Sequence, residues 1–224
     1  MNTKNEVMKL NEKYEEYEFN GTYQGVNNLK IMFGNLPILF SAPHSVKTVR
    51  NGLFKRCDGL TGGIVEYLSS YDRVFGLTRL HNMLDDPNYY NIGNSFLYKK
   101  AIIDIINKYG IKYLFDIHGC SNEHNFDISL GTNNGMNADD ETIKLVLDNL
   151  KVFENVVVDE KFKASMDANI SRYIHERMGV PCIQIEISED IRFNKTELLI
   201  KSLENIIDEI KEKDKTKKLS IGRQ

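Results

Sequence analysis

Short apolar runs recur along the chain, and amphipathic segments separate them. Ile38–Ser41, Tyr113–His118 and Cys182–Ile187 are apolar runs of the kind that form buried parallel strands. Apolar residues with helical spacing predict the main helices: 95–109, 140–150, 168–178 and 197–213. Strands that alternate with helices favour an α/β fold. We therefore predict a single three-layer domain, 1–224, in which a mixed, mostly parallel sheet carries helices on both faces.

Weaker patterns complete this prediction. Strands are expected over 73–80, 127–132 and 152–158, and a helix over 62–71. Strand-like pieces at 17–19, 22–24 and 29–33, with turn residues between them, predict an antiparallel opening. Residues 1–17 are expected to form a charged, partly helical N-terminal arm, and residues 212–224 a Lys-rich tail that frays.

Composition and charge narrow the class of protein. The 224 residues carry a net charge of -3 with a pI near 6.0, which gives no general attraction to nucleic acid or to an anionic membrane. No apolar stretch is long enough to span a bilayer, and the N-terminus lacks the apolar core of a secretory signal. Three cysteines without paired spacing disfavour a disulfide framework, so we expect a cytoplasmic protein. The oligomeric state is left open.

Each of the three apolar runs ends in polar residues that can bind metal or move protons. His44 follows the first run, Asp116 and His118 share one face of the second, and Glu186 lies within the third. The carboxyl ends of parallel strands meet at one edge of a sheet, where ligands bind. Two histidines and a glutamate are residue types that a hydrolase with one zinc ion uses as metal ligands and as a proton carrier. The structural alternative is a hydrogen-bonded core histidine beside a buried ion pair.

A third protein ligand has to come from outside the three runs, and no cysteine pair fits that role. Asp58 is the first choice because it ends the loop after His44 and lies just before a predicted helix. Glu66 is a weaker choice, since it falls in mid-helix and is expected to face solvent or to pair with Lys or Arg. The remaining candidates are Asp86, His81 and His124.

Several motifs of other enzyme classes fail. His175-Glu176 begins like the zinc-protease helix, but Gly179 stands where the second histidine is needed. Asp116-Ile117-His118-Gly119 resembles part of a two-metal phosphoesterase site, yet the further segments of that site are missing. No phosphate-binding loop, nucleophile elbow or dinucleotide fingerprint is present. Cys120 lies near His118, but nothing in the sequence activates it as a nucleophile.

At these residues the chain resembles the N-formylglutamate amidohydrolase family, which has the zinc carboxypeptidase and aspartoacylase type of phosphorylase/hydrolase-like fold. The matching segments run in order over about residues 37–188. They are Ser41-Ala42-Pro43-His44-Ser45, Asp58 before a helix, Arg79, Asp86-Pro87-Asn88, Asp116-Ile117-His118-Gly119, 127–132 with Gly135, and Gln184-Ile185-Glu186-Ile187-Ser188. The chain departs from the family pattern at Tyr89, where an arginine is expected, in the short stretch between His44 and Asp58, and at 167–169, where paired glycines are expected.

The resemblance implies one Zn²⁺ per chain, held by His44, Asp58 and His118, with Glu186 as general base. Other polar residues receive supporting roles as hypotheses. Asp116 would orient a ligand ring, and Gln184 shares a strand face with Glu186. Arg79 and Arg172 are the candidates for holding a substrate carboxylate, and Asn88 would add a directional contact to the substrate.

The expected activity is metal-dependent hydrolysis of the C–N amide bond of an N-acyl amino acid resembling N-formylglutamate, or of a related small amide that carries a carboxylate. Such a protein needs no nucleic-acid or membrane partner. Three alternatives stay open: a hydrolase of γ-glutamyl polymers or peptides with the same fold, a catalytically silent binding module, and a purely structural core around His118 and Glu186. The sequence does not name the acyl group or the amino acid.

Overall fold

Seven strands form one central sheet, and a two-stranded hairpin lies beside it. The computed structural model describes residues 2–21, 28–70 and 73–221, with the backbone alone for 217–221. The strands are β1 (Leu29–Met32), β2 (Ile38–Ala42), β3 (Thr48–Arg50), β4 (Leu53–Lys55), β5 (Phe75–Arg79), β6 (Tyr113–Cys120), β7 (Ile128–Gly131), β8 (Val156–Val158) and β9 (Cys182–Ser188). The helices are α1 (Thr3–Phe19), α2 (Thr61–Leu68), α3 (Gly93–Tyr109), α4 (Asp140–Leu150), α5 (Ile170–Met178), α6 (Glu189–Asn194) and α7 (Thr196–Ile221).

The sheet is mixed and mostly parallel, with the order β1-β5-β2-β6-β9-β7-β8. Its centre consists of β5, β2, β6 and β9, all parallel. The antiparallel pairs are β1 with β5 and β7 with β9. The predicted fold class is confirmed. The strand before His44 (β2), the strand that contains His118 (β6) and the strand that contains Glu186 (β9) are direct neighbours.

Helices cover both faces because the central strands are apolar on both sides. In β2, Leu39 belongs to the core under α3 and α5, whereas Ile38 and Phe40 belong to the core under α1, α2, α4, α6 and α7. All five residues of β2 and all seven of β9 are buried. Glu186 and Gln184 therefore sit in a strand that is otherwise enclosed by apolar packing.

The N-terminal segment is a helix of the folded domain, where the sequence predicted a charged arm. Val7, Asn11 and Tyr14 are buried on the face of α1 that meets α2. A Cβ on Gly63 would lie 2.4 Å from the backbone oxygen of Val7, so the two helices approach too closely for a larger residue. The Tyr14 hydroxyl donates to Glu66, which also pairs with Lys13 and Lys30.

The predicted antiparallel opening is wrong in its pairing. β1 pairs with β5 rather than with a neighbour in sequence, and residues 17–19 end α1. Residues 22–24 and 71, which belong to other predicted elements, lie outside the described residues. The β3–β4 hairpin and α6 were not predicted, and α7 continues to Ile221, beyond the expected end near residue 213.

Within the ranges just given, no helix combines the length and the apolar character that crossing a bilayer requires.

Candidate functional site

The site forms where β2, β6 and β9 end together. Their register places Asp116 beside Ser41 on one side and beside Gln184 on the other, and His118 beside Glu186. His44 follows β2 by two residues, after Pro43 has turned the chain out of the sheet. The Asp58 amide donates to the His44 carbonyl at 2.9 Å, which brings the loop after β4 back to this edge.

Three side chains converge on one point. The Nδ1 atoms of His44 and His118 lie 3.1 Å apart. Asp58 Oδ2 lies 3.1 Å from the Nδ1 of His44 and 3.3 Å from that of His118. His118 is 1 % exposed and His44 is 7 % exposed, so little water reaches the rings. These residues form a group that can hold a metal ion.

The other nitrogen of each ring is held by a carboxylate. His44 Nε2 donates to Asp86 Oδ1 at 2.9 Å, and His118 Nε2 donates to Asp116 Oδ2 at 2.9 Å. An ionised carboxylate can only accept, so these contacts place a proton on each Nε2. In the neutral rings, both Nδ1 atoms are then lone-pair donors that face the same point. Carboxylates behind metal-binding histidines fix the tautomer in this way.

Both carboxylates are in turn held by neighbours. Asp86 accepts hydrogen bonds from Arg50 Nε, from the Thr48 hydroxyl at 3.3 Å and from the backbone N–H of Asn88 at 2.9 Å. Asp116 accepts from the Ser41 hydroxyl. The orientation of each ring is therefore set before any ligand arrives.

The charges of the cluster move its protonation equilibria in opposite directions. Burial by itself would lower the pKa of His44, but the carboxylates of Asp86 and Asp58 raise it from 6.5 to about 9. Asp116 likewise raises the pKa of His118 well above its ordinary value, against burial. Burial opposes ionisation of Asp58 and Asp86, yet the charge of His44 holds the pKa of each carboxyl far below its usual range. Without a metal, protons take the place of a cation between these groups.

The donor set fits zinc. Zinc bonds of about 2.0–2.2 Å in a tetrahedron place neighbouring ligand atoms roughly 3.3–3.6 Å apart. The observed separations of 3.1, 3.1 and 3.3 Å are close to those edges. Two imidazole nitrogens and one carboxylate oxygen also leave a fourth position for water or substrate, as in catalytic zinc sites.

Glu186 lies next to this cluster and is oriented by an amide relay. Gln184 Oε1 accepts from Asn169 Nδ2 at 2.5 Å and from Asn88 Nδ2 at 3.4 Å. The Gln184 amide nitrogen must therefore point the other way, and it donates to Glu186 Oε1 at 2.9 Å. Burial raises the pKa of Glu186 to about 7, although the charge of His118 opposes that shift. A carboxyl with this pKa can both take and give a proton near neutral pH.

A cavity of about 800 Å³ opens over the cluster. His44, Asp58 and Glu186 line its floor, and residues of the β3–β4 hairpin and of the segment 161–166 line its walls. Lysine side chains are frequent around it: Lys47, Lys55, Lys161 and Lys163. The cavity therefore offers an anionic floor for a cation and a basic surround.

Several predicted residues lie elsewhere. Arg79 is 1 % exposed, pairs with Asp85 at 2.6 Å and does not line the cavity. Arg172 pairs with Asp167 and Glu176 at 2.7 Å on the surface of α5. Asn88 does line the cavity, but its side chain is used by Gln184 and by the Ile170 amide.

The other candidates for the third ligand are also accounted for. Glu66 pairs with Lys13 and Lys30 on the far side of α2, and Asp86 lies behind His44. His124 lines the cavity wall and contacts Lys161 at 2.7 Å. The backbone of His81 forms an isolated antiparallel β-bridge with Gly21.

Sequence reasoning missed Arg192, which lines the cavity from α6 and is 4 % exposed. The helix that carries it has six residues, which is too short for a clear apolar period. The one available signal was a charged residue directly after Ile191, close to the end of the β9 run.

Comparisons with known proteins bear on the fold. No protein-family model matches the chain, and no curated protein sequence matches it. An N-formylglutamate amidohydrolase from Ralstonia eutropha JMP134 is similar with a TM-score of 0.62 and 13 % identity, over 83 % of this chain and 98 % of that one. A gene product from Agrobacterium tumefaciens is similar with a TM-score of 0.59 and 11 % identity, over 83 % and 94 %.

A metallo-carboxypeptidase from Burkholderia cenocepacia is similar with a TM-score of 0.52 and 14 % identity, over 79 % of this chain and 56 % of that one. Sequence identities this low establish similarity of the backbone fold alone. The chain thus has the fold of the N-formylglutamate amidohydrolase and metallo-carboxypeptidase structures.

Proposed function

We propose that the protein is a zinc-dependent amidohydrolase that cleaves the amide bond of an N-acyl amino acid, or of a related small amide carrying a carboxylate. One observation carries the proposal. Two histidine Nδ1 atoms and one carboxylate oxygen meet within 3.3 Å at the floor of a cavity, beside a buried glutamate. Both Nδ1 atoms and Asp58 Oδ2 face one point, which is the arrangement that three ligands of one ion require.

His44, Asp58 and His118 would hold the ion. When bound there, zinc supplies Lewis-acid polarisation of a carbonyl and lowers the pKa of water toward about 7. Asp86 and Asp116 keep the two rings in the ligating tautomer and orientation, so the rings need not rearrange when the ion binds.

Glu186 is the proton carrier of the proposed reaction. Gln184 occupies Oε1, which leaves Oε2 to take a proton from the attacking water and to return it to the departing amine nitrogen. Proton transfer of this kind contributes roughly 10²–10⁴-fold to the rate. Burial raises the pKa of Glu186 to about 7, so the ionised and the protonated carboxyl both exist at neutral pH.

The similar structures support the reaction class. One is an N-formylglutamate amidohydrolase and another a metallo-carboxypeptidase, so amide or peptide hydrolysis is compatible with this backbone. The transfer of that chemistry to this chain rests on the residues at the floor of the cavity.

A second candidate function is hydrolysis of γ-glutamyl polymers or peptides. The size and charge of the cavity favour it as an alternative: about 800 Å³ exceeds the volume of a single N-acyl amino acid, and four lysines lie around it. Repeated carboxylates along a polymer would find cationic partners there.

The test combines metal analysis with a substrate screen. Purified protein should contain close to one zinc ion per chain, and zinc-loaded protein should hydrolyse members of a panel of N-acyl amino acids. Offering short amides and long γ-glutamyl chains in parallel separates the two functions. Absence of both bound metal and hydrolysis would overturn the proposal and leave a binding module with this fold.

A further inference from the structure

Arg50 holds its guanidinium at the wall of the cavity, close to the metal-binding cluster. It is the last residue of β3, it lines the cavity, and its side chain is 33 % exposed. Its Nε donates to Asp86 Oδ2, and Asp86 Oδ1 accepts from His44 Nε2 at 2.9 Å. One carboxylate thus separates the guanidinium from the ring of a proposed zinc ligand.

This guanidinium is fixed from two sides. The buried carboxylate of Asp86 accepts from Nε, and the central carbon of the guanidinium lies 5.3 Å from the centroid of the Tyr89 ring, which also lines the cavity. A cation over an aromatic face is attracted by the charge distribution of the ring. A side chain that is already held in place loses little freedom when a ligand binds to it.

The two terminal nitrogens of Arg50 are accessible and unused. Within residues 2–21, 28–70 and 73–216, the hydrogen bond and the salt bridge of Arg50 both go through Nε to Asp86. Nη1 and Nη2 are not among the enclosed polar atoms that lack a partner, so solvent reaches both. These two nitrogens carry four of the five N–H donors of a guanidinium. They are therefore free to donate to a planar anion.

The other arginines near the cavity lack this combination. Nε and Nη1 of Arg192 are enclosed by protein. Arg56 lines the cavity but is 87 % exposed, and its ion pair spans 3.9 Å. Arg79 and Arg172 do not line the cavity and are paired with acidic residues. Among these arginines, Arg50 is the one that is both anchored and open to a ligand.

We propose that Arg50 binds a carboxylate of the substrate through Nη1 and Nη2, while the amide of the same molecule lies at the proposed zinc site. A guanidinium matches a carboxylate in charge and in planar geometry, and the pair can form two parallel hydrogen bonds. The inference rests on the proposed function for the nature of the ligand. Because Asp86 contacts both Arg50 and His44, it sets the distance between the carboxylate site and the metal site.

Inhibitors with a zinc-binding group test the assignment without requiring turnover. The monohydroxamates of succinic, glutaric and adipic acid carry a hydroxamate, which chelates zinc, and a free carboxylate at increasing distance from it. The methyl ester of each compound keeps the hydroxamate and loses the charge. Calorimetric titration of zinc-loaded protein should show at least one acid binding about 10- to 100-fold more tightly than its ester, as expected for charge-assisted hydrogen bonds.

Variants of Arg50 separate substrate binding from support of Asp86. Arg50→Gln should remove the preference for the acid, and Arg50→Lys should keep part of it, because the charge remains but the planar fork is lost. Acetohydroxamate has no carboxylate, so its affinity for zinc-loaded Arg50→Gln should stay within about twofold of wild type. An equal loss of affinity for acetohydroxamate and for the acids would mean that Arg50 acts by holding Asp86, and would overturn the assignment.

Arg56→Gln is the matched control, and it should change the preference by less than about twofold because Arg56 is exposed to solvent. Circular dichroism and zinc content establish that each variant folds and loads. No preference for any acid in the wild-type protein, or an unchanged preference in Arg50→Gln, would also overturn the assignment. If the preference behaves as expected while no amide is hydrolysed, the proposed function fails and the role of Arg50 stands. Hydrolysis without any preference has the opposite meaning.

Discussion

The Nδ1 atoms of His44 and His118 point at each other across 3.1 Å, although the residues are 74 positions apart in the chain. Asp58 Oδ2 lies within 3.3 Å of both Nδ1 atoms, so this carboxylate can accept from both rings when they are protonated, and a cation can take the place of those protons. The parallel pairing of β2 with β6 brings the rings together, and Asp86 and Asp116 turn them.

His118→Ala should remove the metal. The variant loses one of three proposed ligands, and the remaining His44 and Asp58 are too few for a stable zinc site. Atomic emission should find close to one zinc per chain in the wild-type protein and almost none in the variant. His175→Ala is the control, since His175 lies on α5 and contacts the Val180 carbonyl. Full zinc occupancy of the His118 variant would refute the ligand set.

Asp116→Asn and Asp86→Asn should weaken zinc binding without abolishing it. Each change leaves the ligands in place but removes the charge that holds a ring nitrogen at 2.9 Å. Losses of about 10- to 100-fold in affinity are typical for partners of this kind. Competition with a chromogenic chelator gives the constants. Affinities equal to wild type in both variants would show that the carboxylates do not orient the rings.

Glu186→Gln should separate metal binding from catalysis. The amide keeps the shape of the side chain but cannot carry a proton, so hydrolysis should fall by about 10²–10⁴-fold. Zinc content should stay at the wild-type level, because Glu186 is not one of the three convergent ligands. The measurement is kcat on whichever amide the wild-type enzyme cleaves best. Turnover at the wild-type rate would exclude Glu186 as the base.

Zinc binding should release protons. At pH 7 the metal-free His44 ring is protonated, since its pKa is about 9, and it must lose that proton to become a ligand. The apparent affinity should therefore rise by about tenfold per pH unit for each proton released, until the pH passes the raised pKa. Calorimetry in buffers of different ionisation enthalpy counts the protons. Identical enthalpies in all buffers at pH 7 would contradict the raised pKa.

The same shift predicts how metal-free protein responds to alkali. A histidine whose pKa is raised by folding stabilises the folded state while it is protonated. For His44 this contribution is complete below about pH 6.5 and disappears as the pH rises through about 9. Urea unfolding of metal-free protein should show decreasing stability over that range. Saturating zinc should make the decrease smaller, because the ion replaces the protons.

Gly63→Ala should destabilise the fold through the contact of α1 with α2. The new methyl group would lie 2.4 Å from the Val7 carbonyl oxygen and 2.9 Å from Asn11, so α1 must shift. Overpacking of this kind costs about 1–3 kcal/mol. Asn107→Ala on the exposed face of α3 is the control and should change the free energy of unfolding little. Equal stability of both variants would mean that α1 does not pack as described.

The spacing of apolar residues was enough to predict the longer helices, whose periodic pattern extends over several turns. The helix over 140–150 has the predicted bounds, and α3 ends at Tyr109 with Gly110 as its C-cap, whose φ of +65° favours glycine. Short elements escaped prediction because few residues define their period. α6 has six residues, and the β3 and β4 strands have three each.

The apolar runs and the polar residues at their ends predicted buried strands that bring His44, His118 and Glu186 to one edge of the sheet. Asp58 was the first choice among several candidates for a third ligand. Tertiary structure alone placed Asp86 behind His44, Asn169 beside Gln184 and Arg192 beside Cys120, because each contact joins residues far apart in the chain. Arg192 is the clearest case. A charged residue in a short helix has no local pattern that separates a solvent-facing side chain from a buried one, and only the packing of α6 over Gly119 makes that distinction.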